Sequence, residues 1–144
     1  MVHKEIIVSS SVEMTEQAGG AFAETLRPGD VIALCGGLGA GKTAFVRGAA
    51  ARLVLGARVT SPTYSIVNTY NDAGTTVHHF DMYRVDSAAS LESTGFYDYL
   101  DGGGVIFIEW FENIASFFGS ATHMVSVDAS GGEYERTITI ETMR

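Results

Sequence analysis

The run Gly36-Gly37-Leu38-Gly39-Ala40-Gly41-Lys42-Thr43 matches G-x-x-x-x-G-K-[ST] at every position, and it constrains the fold more than any other stretch of the chain. A loop that wraps a polyphosphate must bring several backbone N–H groups close to it, and side chains would block that approach. Glycines at 36, 37, 39 and 41 remove the obstruction. Lys42 supplies a positive charge for the β- and γ-phosphates, and the Thr43 hydroxyl is placed to ligate Mg²⁺. Gly37, Leu38, Gly39, Ala40, Gly41, Lys42, Thr43 and Ala44 are thus the expected nucleotide-contacting segment, for ATP or ADP with magnesium. A helix starting at the lysine would add its N-terminal dipole at the same place.

The flanks supply the context that the motif requires. Val31-Ile32-Ala33-Leu34-Cys35 is a short apolar run, as a buried parallel strand should be. After Thr43, the residues Phe45, Val46, Ala49, Ala50, Leu53 and Val54 recur at helical spacing up to Gly56, a C-terminal stop. Strand, glycine loop, helix is the order that such a site needs.

At 144 residues the chain has the length of one domain, expected to span 1–144. Met1-Val2-His3-Lys4 leads straight into the strand-like Glu5-Ile6-Ile7-Val8, so no signal peptide is read, and no apolar run approaches the ~20 residues of a membrane span. The lone Cys35 excludes an internal disulfide, in keeping with a cytoplasmic protein, and is expected as a small core residue. Net charge is −8, which disfavours direct binding to nucleic acid through phosphate neutralisation. A role in RNA biology would have to run through partners.

Ser9-Ser10-Ser11 offers N-caps for a helix to about Leu26, and Arg27-Pro28-Gly29-Asp30 turns into the next strand. Beyond the polar break Thr60-Ser61-Pro62-Thr63 come strand-like runs at 64–70 and 76–83, joined by Asn71-Asp72-Ala73-Gly74. So short a link makes that pair antiparallel. Asp86-Ser87 caps a helical stretch to about Leu100, interrupted near Gly95. Val105-Ile106-Phe107-Ile108 reads as a second buried strand, Trp110 to Phe118 as a short helix. Strands over 123–128 and 134–141 close the chain. The expected fold is α/β with three layers: a mixed sheet, parallel at its centre, helices on both faces, and antiparallel hairpins.

Other residues offer chemistry. Glu109 ends the strand that begins at Val105, where a carboxylate beside a nucleotide loop holds Mg²⁺ or its water. His79, Asp81 and Tyr83 alternate and so share one strand face. Composition alone favours solvent exposure of that face over a second metal-directed carboxylate at Asp81. His78 and His79 lack ligand-spaced partners for zinc. Ser61-Pro62-Thr63 sits where a γ-phosphate-sensing loop often lies, or is an ordinary proline turn. Arg84, a possible transition-state cation, points to the opposite face from Asp81 if the strand stays regular. Trp110 either stacks near the nucleotide or fills the core.

Leu38-Gly39-Ala40-Gly41-Lys42-Thr43, Ser61-Pro62-Thr63-Tyr64 with Tyr70, His79-Phe80-Asp81-Met82-Tyr83-Arg84, Glu92 with Gly95, and Ile108-Glu109-Trp110 occur in an order and spacing that resembles the TsaE (YjeE) family. These are small bacterial P-loop ATPases needed for threonylcarbamoyladenosine modification of tRNA. The resemblance runs from the first strand to the C-terminal hairpin and implies a P-loop NTPase-like domain. It further implies slow ATP hydrolysis with Mg²⁺, and association with the TsaB–TsaD heterodimer, tRNA being met only through that complex. Carried over by position, Lys42 contacts phosphates, Thr43 and Glu109 serve the metal, and Trp110 lies near the nucleotide. Asp81 and Glu109 become the catalytically important carboxylates alongside Lys42. Gly37 stands where the family commonly has an acid, and Phe111 where it often has proline or a small residue.

Two other readings compete. A small-metabolite kinase would need an acceptor pocket and an arginine-bearing lid; Gly102-Gly103-Gly104 is superficially like a substrate loop but carries no arginine. A nucleotide-gated binding module with negligible turnover would show the same motifs. A GTPase would show N-K-x-D, which is absent.

Overall fold

Strands β2 (Val31–Cys35) and β5 (Val105–Glu109) are almost wholly apolar because helices cover both of their faces. The computed structural model describes residues 3–37, 41–60, 66–72, 74–119 and 121–144. Around those two strands lie β1 (His3–Ser9), β3 (Val67–Asn71), β4 (Thr76–Asp81), β6 (His123–Ala129) and β7 (Arg136–Thr142). They form one seven-stranded sheet in the order β1-β7-β6-β2-β5-β4-β3. The four central strands β6, β2, β5 and β4 are parallel, while β1–β7, β7–β6 and β3–β4 pair antiparallel. The expected mixed, centrally parallel sheet with flanking hairpins is the one found.

Helices α1 (Val12–Ala23) and α2 (Lys42–Leu53) cover one face. Their Ala18, Phe22, Phe45 and Val46 pack on Ile32, Leu34, Val77 and Phe107. The other face receives α3 (Ala88–Ser93), α4 (Phe96–Asp101) and α5 (Ala115–Phe118), with Leu91, Phe96 and Ile114 set against Ala33, Phe80, Ile106 and Ile108. Alternation along β4 and β5 therefore sends the odd-numbered residues toward α2 and the even-numbered ones toward the second helical layer.

Several boundaries differ from the sequence reading. The Ser11 hydroxyl caps α1 by accepting the Met14 N–H at 3.1 Å, as expected, but the helix ends at Ala23 in a tighter turn. The β4 strand stops at Asp81, whose carboxylate takes the Tyr83 N–H and bends the chain away. The stretch after Trp110 splits into a 3₁₀ turn (Phe111–Asn113) and α5, because the Asn113 side chain donates to the carbonyls of Met82 and Tyr83 and holds the turn against the end of β4. The last strand starts at Arg136, with Tyr134 left exposed in the preceding turn. Gly95, in the left-handed region at φ 79°, separates α3 from α4 where the interruption was expected. Cys35 is half-buried at the end of β2, where the chain emerges from the core, and is not fully internal.

At the opposite end of β2 a polar clasp is built inside the fold. Burial pushes the Asp30 carboxyl up, but hydrogen bonds from Arg144, the Arg27 N–H and His123 outweigh it and hold the group below its ordinary value. His123 is fully buried, with one ring nitrogen 3.2 Å from Asp30 Oδ2 and the other 3.0 Å from Thr142 Oγ1. Burial pulls its pKa down more than the Asp30 partner raises it.

Candidate functional site

The C-terminal ends of β2, β5 and β4 bring the candidate residues to one edge of the sheet. Leaving β2, the chain passes through Gly36 at φ 131°, where a Cβ would stand 2.2 Å from the Val127 carbonyl oxygen, so only glycine fits. Gly41, at φ 105°, is the residue from which α2 starts. Leu38, Gly39 and Ala40 lie outside the described residues, as do Ser61, Pro62, Thr63 and Tyr64 of the expected sensing loop and Ala73 of the hairpin turn. Among the described residues nothing stands within 4 Å of where a side chain at Gly37 would project.

Lys42 opens α2 and is nearly fully buried. Its ammonium donates to the Gly36 carbonyl at 3.0 Å and lies 5.1 Å from the centre of the Trp110 ring. Buried ammonium groups need such partners, and here they come from the loop itself and from an aromatic face. Thr43 follows, half-buried, and Ala44 is buried on the inner side of the helix.

Register supplies the carboxylates. In the parallel ladder Leu34 of β2 is level with Glu109 of β5, and Glu109 with Asp81 of β4. Both acids are odd-numbered and so face the α2 side. Glu109 is 7% exposed, its Oε2 2.6 Å from His79 Nε2; Asp81 is half-buried. Trp110, next in the chain, has φ 59°, the one non-glycine residue with positive φ among the described residues. That turn carries the indole between Lys42 and the Tyr83 ring, 5.0 Å away.

The expectation that the His79, Asp81 and Tyr83 face meets solvent is corrected. His79 is fully buried because α2 covers this face; Asp81 lies at the rim, and Tyr83, beyond the strand, is exposed. Sequence reasoning missed His79 as a site residue, since its partner Glu109 is 30 positions away and the pairing exists only through the β4–β5 register. Arg84 is exposed beyond the end of β4, so its placement does not follow strand alternation. Among the described residues no cluster of three or more His, Cys, Asp and Glu side chains is arranged to hold a metal alone. A magnesium site that draws most of its ligands from phosphates and water needs only the hydroxyl and one or two carboxylates present here. Burial pushes the Cys35 thiol up, helped by Glu112 and Asp128 and opposed by Lys42.

Gly102–Gly104 lies at the other end of β5, lining a cavity of about 310 Å³ with Arg27, Leu53 and Thr76. The strand thus separates it from Glu109, which removes the one feature that favoured a kinase.

Residues 9–138 match the family described as "Threonylcarbamoyl adenosine biosynthesis protein TsaE". The chain is 35% identical over 127 residues to the tRNA threonylcarbamoyladenosine biosynthesis protein TsaE of Bacillus subtilis, covering 88% of this chain and 78% of that protein. It is 36% identical over 120 residues to that of Treponema pallidum, covering 83% and 88%. The crystal structure of Bacillus subtilis YdiB superposes with a TM-score of 0.80 at 30% identity, covering 100% of this chain and 88% of that one. Glycine loop, facing carboxylates and whole-chain similarity agree: the chain belongs to the TsaE family of tRNA threonylcarbamoyladenosine biosynthesis, a family of P-loop NTPase-like fold.

Proposed function

We propose that the chain binds ATP with Mg²⁺ at the glycine loop and hydrolyses it slowly, in support of a cytoplasmic TsaB–TsaD complex that modifies tRNA. The observation that carries this reading is the register that sets Asp81 and Glu109 level with the end of β2, on the face of the helix that begins with Lys42. Backbone N–H groups of the loop and the Lys42 ammonium stabilise charge on the phosphates. Thr43 and Glu109, with Asp81 beside it, would hold Mg²⁺, which supplies charge neutralisation between phosphate oxygens. Glu109 would orient or polarise the attacking water, and Trp110 would screen the site. No helix is long and apolar enough to cross a membrane among the described residues. The family's role in tRNA modification, together with a net charge of −8, supports action through protein partners.

The test is ATP hydrolysis by the purified chain, alone and with its cognate TsaB–TsaD complex, with Lys42→Ala as background. Slow turnover raised by the complex and lost in the variant is expected. Nucleotide binding without turnover under either condition would replace the ATPase by a nucleotide-gated binding module.

A further inference from the structure

His79 is a fully buried imidazole that meets Glu109 at 2.6 Å, while among the described residues its Nδ1 has no partner. An orphaned lone pair costs less than an orphaned N–H, so the proton is assigned to Nε2, which donates to the carboxylate. Glu109 has three side-chain torsions and stands at the end of a strand, so its backbone alone leaves the carboxylate free to swing. Fixing Oε2 on the His79 ring removes that freedom. Full burial of the imidazole, level with Phe107 in the β4–β5 register, holds the donor itself in place.

We propose that His79 is a positioning residue that locks Glu109 in its working orientation for hydrolysis, acting through that carboxylate and not on nucleotide directly. The inference rests on the ATPase reading above. In nucleotide-free protein the Nε2–H should give a strongly downfield proton resonance that vanishes in E109Q. Without the donor, turnover should fall about 10–100-fold, the usual effect of losing a group that orients a metal-site ligand. H79L is expected to show that loss in kcat, with KM for ATP and the ADP affinity read from Trp110 emission unchanged within about threefold. H79Q, whose amide reaches the same point as Nε2, should recover most of the activity. In an E109Q background H79L should cost nothing further.

The inference is overturned if H79L matches the parent, if H79Q is no better than H79L, or if H79L costs as much in the E109Q background as in the parent. Should the leucine variant not fold, H79N, with an amide too short to reach Glu109, takes its place in the same cycle. Unchanged hydrolysis in E109Q itself would instead overturn the ATPase reading.

Discussion

Trp110 sits in the left-handed region, which costs a non-glycine residue about 1–2 kcal/mol. The position is held because its ring stands over Lys42 and against Tyr83. As the chain has one tryptophan, its emission reports on the surroundings of Trp110 alone. Lys42→Ala is expected to shift the emission of nucleotide-free protein and to abolish useful hydrolysis, at least about 100-fold. Unchanged emission in a fluorescence scan would show that the ammonium does not rest on the ring in solution. At this scale the glycine-loop residues stand out as candidates from sequence alone, because backbone approach to a phosphate would dictate residue type locally. Trp110 and Glu109 were legible only as neighbours of that loop. The His79 pairing was not, since no local pattern distinguishes a buried polar strand face from an exposed one.

Among the elements, α1 and α2 touch through glycines. A Cβ on Gly48 would stand 1.8 Å from the Glu16 carbonyl oxygen, and one on Gly19 2.1 Å from that of Phe45. The helices lie backbone to backbone, which also sets the position of the first turn of α2. Gly48→Ala should therefore destabilise by about 1–3 kcal/mol or more, since backbone must move to admit the methyl. Gly20→Ala, whose Cβ would meet only the Gly48 carbonyl at 3.6 Å, should gain about 0.5–1 kcal/mol from helix propensity. Urea unfolding of both variants checks the pair; equal effects would disprove the close contact. Caps and apolar spacing found the two helices, but the sequence reading gave these glycines no role. Their use depends on how two elements cross. The strands were legible for a comparable reason: β2 and β5, apolar but for Glu109, announce burial on both faces, whereas the ends of β3, β4 and β7 depend on turns and side-chain hydrogen bonds.

For the whole molecule, pH and salt act on what the fold encloses. His123 and His78 are held below their ordinary value of 6.5, His123 chiefly and His78 wholly by burial. The unfolded chain thus takes up protons first, and stability is lost as pH falls below about 6.5. Asp30, held below 3.8, contributes stability above that value which disappears on further acidification. The melting temperature should be flat between about pH 7 and 8 and fall in two steps on acidification, the first reduced in His123→Gln and its remainder due to His78. A constant melting temperature between pH 7.5 and about 5 would refute the first step. Residues 93 and 114 positions from Asp30 make this clasp, and no sequence pattern links them. Charge gives a second expectation. Arg47 and Arg52 are engaged by Glu16 and Glu24, and Arg144 by Asp30, so a net charge of −8 leaves little to grip phosphate backbones. Filter binding at about 150 mM salt should detect no tRNA on the isolated chain, and tight binding would refute action through partners.

The pairing of β1 with β7 runs from His3 with Thr142 to Ser9 with Arg136, and among the described residues β7 is the only neighbour of β1 in the sheet. During synthesis the first strand therefore waits unpaired until β7 has been made, while β4 and β5 can pair as soon as residue 109 has emerged. Contacts so distant along the chain slow the search for the native state. The first strand of the sheet is the last to be seated, and the edge that carries Asp81 and Glu109 takes shape before the sheet is closed.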